Sequence, residues 1–237
     1  MEDESGRGLT GLWSRLGTRR PSGAAGGEVS PPDPPALQAP AHGTKALRKF
    51  LATLSAQESP VLLDLGPVVG SNLNFFGETL GCKVFIEDLY TDVERHVHRD
   101  SMADLPAFLK TRLAIADASV DGVLLWDLID YLDLPAAQVL ANELVRVMRI
   151  DGALLGFFNA SAPRGELHYT KYVVDDEVTL RHREYPASRG RQRVLQNRDI
   201  IRLFEGLRVS DSFLLQTNVR EILFRKPAYL SAARHIT

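Results

Sequence analysis

Five residues of this chain have the types and spacing to do chemistry: Asp64, Gly66, Gly70, Asp88 and Asp127. Asp64 follows the apolar run Val61-Leu62-Leu63. Gly66 and Gly70 come next, in a turn where backbone can approach a ligand closely. A helix that starts there offers unpaired N–H groups to that ligand. Asp88 closes a second apolar run, Val84 to Ile86, and lies 22 residues after Gly66. A carboxylate in that place can accept both hydrogen bonds of a ribose diol, and the spacing is near the ~20 residues that nucleotide sites use. Asp127 ends a third apolar run, Gly122 to Trp126. The same turn also suits a protein that binds nothing, and Asp127 equally suits a cap for the segment after it.

These residues need elements to hold them. Ser71 is placed to cap a helix whose apolar face is Leu73, Phe76 and Leu80, and Gly81 fits the position that ends it. Strand, glycine turn, helix, strand and acid make one βαβ unit. A second unit runs from the strand at 121–126 through a helix opened by Pro135 to the strand Ala153 to Phe158. The face of that helix is Leu140, Leu144, Val147 and Met148. A right-handed crossover adds it to the same parallel sheet. Upstream, Thr44 can cap a helix carrying Leu47, Phe50, Leu51 and Leu54.

Between Leu89 and Ala118 the pattern gives helical turns at Asp92–His98 and Pro106–Leu113. A third strand is expected there without an apolar run to mark it. His96 and His98 would share one face of a strand, but no third ligand accompanies them, so no metal site is expected. Residues 159–196 read as an inserted lid or hairpin turning at Asp175-Asp176, rich in arginine. Asn197 can cap a helix with Ile200, Leu203, Phe204 and Leu207. The final strands, Val209 to Leu215 and Val219 to Phe224, are joined by too few residues for a crossover and must be antiparallel.

Composition sets the class. The chain has 237 residues, 44% hydrophobic and 24% charged, with a formal net charge of -2. That balance fits a globular domain and argues against nucleic acid as a partner. The single cysteine, Cys82, rules out a disulfide framework and precedes an apolar strand, as a buried inert thiol would. The acidic start lacks the order of a signal peptide, no apolar run approaches a membrane span, and a cytoplasmic location is expected. Residues 1–43 hold 6 of the 13 prolines and 8 of the 18 glycines, a composition that favours disorder, so the domain is expected at 44–237. Within the tail, Leu9, Leu12, Trp13 and Leu16 recur at helical spacing, a pattern that suits docking on a membrane surface or a protein groove, or chance.

The order of these elements resembles a class I S-adenosylmethionine-dependent methyltransferase over residues 44 to 226. The resemblance implies an α/β fold: a seven-stranded, mostly parallel, doubly wound sheet with an antiparallel C-terminal hairpin and helices on both faces. The family's first motif is an acid with glycines at +2, +4 and +6. Here Asp64, Gly66 and Gly70 match, and Val68 replaces the +4 glycine. Val68 is expected to turn into the core and leave the glycines open to the cofactor. Trp126-Asp127-Leu-Ile-Asp130-Tyr131 resembles the motif after strand four. Asn142 to Gly152 resembles the segment before strand five.

Residue by residue, the resemblance implies that Asp64, Gly66 and Gly70 line the methionine end of S-adenosylmethionine. Asp88 would hold the ribose, and Ser101 and Met102 would reach the adenine. Asp127, His168 and Tyr169 are the candidates for a general base toward a small-molecule acceptor. Two other readings stand beside this one. The first is a methyltransferase-fold protein that has lost turnover and serves as a binding partner. The second is a nicotinamide-dependent oxidoreductase, which the glycine spacing fits poorly.

Overall fold

The computed structural model describes residues 40–161, 165 and 167–228. All of them lie in one compact unit, Ala39–Thr237. The tail residues Leu9, Leu12, Trp13 and Leu16 fall outside the described residues.

Strand β1, Ala41–Gly43, is followed by helix α1, Leu47–Ser55. Its apolar stripe Leu47, Phe50, Leu51 and Leu54 is wholly buried. Thr44 does cap this helix, accepting from the Leu47 N–H at 3.4 Å. A second acceptor was not readable locally: the buried carboxylate of Glu221 takes the N–H groups of Lys45 and Ala46 at 2.8 and 2.9 Å.

Strand β2, Val61–Asp64, leads into helix α2, Gly70–Asn74, which continues as a π-helical turn, Phe75–Thr79. Ser71 is not its cap: the helix begins at Gly70 with no side-chain cap. Gly81, at φ +65°, ends the helical segment as expected. Strand β3, Lys83–Ile86, and helix α3, Leu89–His98, follow. Helix α4, Leu105–Arg112, then leads to strand β4, Val120–Trp126. Helix α5, Leu134–Val147, and strand β5, Met148–Asn159, complete the second βαβ unit. The hairpin β6, His168–Asp176, and β7, Thr179–Pro186, forms the expected insertion. Helix α6, Asn197–Leu203, has Asn197 inside its first turn rather than as its cap. Strands β8, Arg208–Leu214, and β9, Val219–Arg225, close the described fold.

The main sheet has the order β3-β2-β4-β5-β9-β8. Strands β3, β2, β4 and β5 are parallel, and β9 and β8 are antiparallel to their neighbours. It has six strands among the described residues, not the seven expected. The missing third strand has a physical reason. Leu105 and Leu109 recur at i and i+4 and Pro106 suits a first helical turn, so the segment folds as α4 and packs on α5. His96 and His98 lie on α3, not on a strand, and no group of metal ligands occurs among the described residues.

Side chains of each central strand alternate between two layers. Leu62, Leu124, Leu155 and Phe157 pack with α1 and Phe76, while Leu63, Val123, Leu125, Leu154 and Phe158 pack toward α3, α4, α5 and α6. Helices therefore cover both faces, as a parallel sheet requires. The hairpin and β1 form a second, three-stranded sheet in the order β1-β7-β6. Residues 41–43 thus belong to the domain rather than to the tail, because they pair with Thr179 to Arg181. Asn72 ties the hairpin to helix α2. Its amide donates to the Tyr172 carbonyl and accepts from the Val174 N–H, both at 2.8 Å, with the side chain buried. No helix among the described residues is long and apolar enough to cross a membrane.

Candidate functional site

The chain leaves β2 for β3 on one side and crosses to β4 on the other. The carboxyl ends of β2 and β4 therefore flank the point where strand order reverses, the place where open α/β sheets bind ligands. Asp64 ends β2 there, and Trp126 and Asp127 end β4. The structure thus brings Asp64, Gly66 and Asp127 to one crevice.

Asp64 is buried, and its Oδ1 accepts from the Gly66 N–H at 2.9 Å and the Trp126 Nε1–H at 2.7 Å. Burial raises its pKa to about 6, against the pull of those two hydrogen bonds. Val68 does not enter the core, as the sequence had led one to expect; it is 59% exposed. The side chain that meets the glycine turn is Trp126. It has φ +53°, which a bulky side chain rarely adopts. Its indole lies so close that a Cβ on Gly66 would stand 2.8 Å from Cδ1 and 2.9 Å from Nε1. Tyr172 of the hairpin stacks on the indole at 4.9 Å and 5°, and Phe157 meets it edge-on at 5.7 Å.

Asp88 follows β3 as expected and is half-buried. Its carboxylate caps α3, accepting from the Thr91 N–H at 3.0 Å and the Thr91 hydroxyl at 2.7 Å. Ser101 and Met102 lie past the far end of α3, about 15 Å of helix rise from Asp88. Among the described residues no strand lies between α3 and β4 to carry an adenine contact back to the crevice.

Asp127 is not a side-chain cap for the 3₁₀ turn Leu128–Tyr131. It is 2% exposed and gathers tyrosines from three segments: Tyr90 donates at 2.6 Å, Tyr131 lies at 3.5 Å, and the Tyr172 hydroxyl also donates. Burial raises its pKa while the hydroxyls and Arg191 lower it. Asp127 also lines a pocket of about 690 Å³ under the hairpin, with Asn159, His168, Tyr172, His182 and Arg191. His168 therefore shares a cavity with Asp127. Tyr169, its chain neighbour, points away and packs against Tyr90 and Tyr185 at 5.3 and 5.7 Å. Burial, with His42 stacked at 4.2 Å, lowers the His182 pKa to about 4, so that imidazole is neutral. Cys82 is buried with its thiol pKa raised to about 11 by burial, the inert state expected.

Asp130, one turn after Asp127, went unassigned in the sequence. Its Oδ2 accepts from the Asn159 N–H at 2.8 Å and Nδ2–H at 2.7 Å, while Oδ1 is buried without a partner. Burial raises its pKa from 3.8 to about 7. A folded-state value above the unfolded one means that its contribution to stability is full below about pH 3.8 and is lost as pH rises through about 7. Asp130→Asn keeps an acceptor for Asn159 and cannot ionise. Its stability is expected to match wild type near pH 3 and to exceed it near pH 8, by on the order of a few kcal/mol. A gap that does not widen with pH contradicts this.

The acids and the glycine turn suit the polar ends of a nucleoside cofactor such as S-adenosylmethionine. The space against Gly66 does not, because the Trp126 indole fills it. No family model matches the chain. No curated protein matches it. Solved structures similar in fold include three methyltransferases. A putative type 11 methyltransferase from Sulfolobus solfataricus is 14% identical over 81% of this chain and 98% of that one, with a TM-score of 0.44. The Burkholderia thailandensis 1,6-didemethyltoxoflavin-N1-methyltransferase is 18% identical over 77% and 78%, with a TM-score of 0.44. The glycopeptide N-methyltransferase MtfA complexed with S-adenosylmethionine is 18% identical over 84% and 100%, with a TM-score of 0.44. At such identities and scores, the site is read from this chain's own residues alone.

Proposed function

We propose that the chain is a methyltransferase that takes S-adenosylmethionine in the crevice between β2 and β4 and a small polar acceptor in the adjoining pocket. One observation carries the reading: beside the switch-point crevice, with its acid and glycine turn, Asp127 at the end of β4 lines the 690 Å³ pocket. The cofactor supplies an activated methyl group. What remains for the protein is to align the acceptor, exclude water and receive a proton.

Gly70 leaves the turn open to the cofactor's amino-acid end, the Trp126 indole must yield at Gly66, and Asp64 holds that turn through the Gly66 N–H. Asp88 stands at the carboxyl end of β3, where it can exchange Thr91 for a ribose diol. Asp127 accepts the acceptor's proton: burial raises its pKa toward the working range, and the tyrosine hydroxyls keep it oriented. His168 and Asn159, on the pocket wall, orient the acceptor. A second reading, a binding protein of this fold without turnover, is favoured by the indole on Gly66.

Calorimetric titration with S-adenosylmethionine, S-adenosylhomocysteine and NAD tests the proposal. One-to-one binding of the first two and none of NAD is expected. Asp88→Ala should weaken that binding about ten- to a hundredfold, the worth of a hydrogen bond to a charged acceptor. It should also cost about 1 kcal/mol of stability through the lost helix cap. Affinity unchanged by Asp88→Ala removes the ribose site from the crevice.

A further inference from the structure

Four observations meet at Trp126. First, its indole lies on Gly66 in the space that the turn otherwise leaves open. Second, its backbone holds φ +53°, and such a conformation persists in a bulky residue only where the surroundings fix it. Third, the surroundings that fix it are specific: the Asp64 carboxylate on Nε1, the Tyr172 ring face to face with the indole, and Phe157 edge-on to it. Fourth, Tyr172 belongs to the hairpin, which Asn72 ties to the first helix after the glycine turn through both the Tyr172 carbonyl and the Val174 N–H. Glycine turn, indole, tyrosine and hairpin thus form one stack, and the outermost member is the wall of the 690 Å³ pocket.

The consequence is a competition. A ligand seated against Gly66 and an indole seated against Gly66 exclude each other, since even one added carbon there would stand under 3 Å from the ring. Relaxing the Trp126 backbone to negative φ swings the indole out of the crevice. Tyr172 then loses the face it stacks on, which weakens the hold on the hairpin that Asn72, Phe157 and Asp127 share. Opening the crevice and loosening the hairpin are therefore linked.

We propose that Trp126 is a built-in stopper of the crevice and that the hairpin β6–β7 is its lid, so that ligand binding against Gly66 requires Trp126 to withdraw and the hairpin to loosen. The inference rests on the reading of the crevice as a site for S-adenosylmethionine. It gives Trp126 and Tyr172 the role of gate residues, distinct from residues that touch reacting atoms. It also accounts for a crevice that keeps its acid and glycines while an aromatic ring covers them.

Two measurements test it on the full chain. In the first, S-adenosylhomocysteine is titrated into wild type and Trp126→Ser, each checked for a cooperative melt. The serine variant is expected to bind about ten- to a hundredfold more tightly, because it has no stopper to displace. In the second, amide hydrogen exchange is followed in wild type with and without millimolar S-adenosylhomocysteine. Exchange at Val173 and Val174 is expected to quicken when the ligand is present. This measurement needs no variant, so it stands even where Trp126→Ser fails to fold. Equal affinities with hairpin exchange unchanged or slowed overturn the stopper while leaving the crevice a cofactor site. Binding by neither protein, with both folded, removes the cofactor reading itself and the gate with it.

Discussion

Asp127→Ala is expected to lose about 2–4 kcal/mol of stability, and Asp127→Asn to lose little. Alanine leaves the buried Tyr90 hydroxyl without the acceptor it holds at 2.6 Å, and each buried polar group so stranded costs about 1–3 kcal/mol. Tyr172 loses a second, and the 3.5 Å contact from Tyr131 adds less. Asparagine keeps an acceptor oxygen and carries no charge to desolvate. If Asp127 also receives the acceptor's proton, the asparagine protein keeps its fold but slows about 10²–10⁴-fold, the usual worth of a positioned base. Chemical denaturation and turnover, measured on the same two variants, separate the roles. Loss of stability in both, or full turnover in the asparagine variant, would leave Asp127 a structural residue only.

Gly66→Ala is the second large effect. The added carbon meets Trp126 at 2.8 Å, and the ring has little freedom to yield, held between Asp64 and Tyr172. The expected cost is about 1–3 kcal/mol, as for other overpacked sites. The same substitution in a Trp126→Ser background meets no indole, only the Asp64 Oδ1 at 3.2 Å, and should cost less. The interaction energy in this double-mutant cycle reads the contact itself. Additive costs would show that the indole does not press on the turn.

The parts of this fold legible in the sequence were those set by local pattern. Val61 to Asp88 gave strand, turn, helix and acid because its apolar runs are short and bounded by glycine and aspartate. The C-terminal pair was legible because three residues cannot make a crossover. The third strand was not there to be read: the helical turns at Asp92–His98 and Pro106–Leu113 were legible and fold as α3 and α4, and no apolar run between them is left to make a strand.

What escaped was set by distance along the chain or by backbone angle. Asn72 binds residues about a hundred positions away, and Glu221 caps a helix 175 residues upstream. Nothing in the local sequence of Asn72, Glu221 or Tyr90 marks these partners. Trp126 misled in a different way. Its place at the end of an apolar strand is plain, and alternation puts it on the α1 side with Leu124. Its positive φ, which turns the ring onto Gly66, has no signature in residue type. Val68 breaks the glycine pattern, whereas the side chain that fills the turn comes from the neighbouring strand.

The central claim is that the crevice between β2 and β4 is a site for S-adenosylmethionine. Its most direct test is a crystal structure of Trp126→Ser grown with S-adenosylhomocysteine. The account predicts the ligand lying against Gly66 and Gly70 in the space the indole leaves, with its ribose hydroxyls bonded to Asp88 and its sulfur facing the pocket that Asp127 lines. A well-ordered crevice filled by water or by a rearranged Tyr172, with no ligand against Gly66, would contradict it.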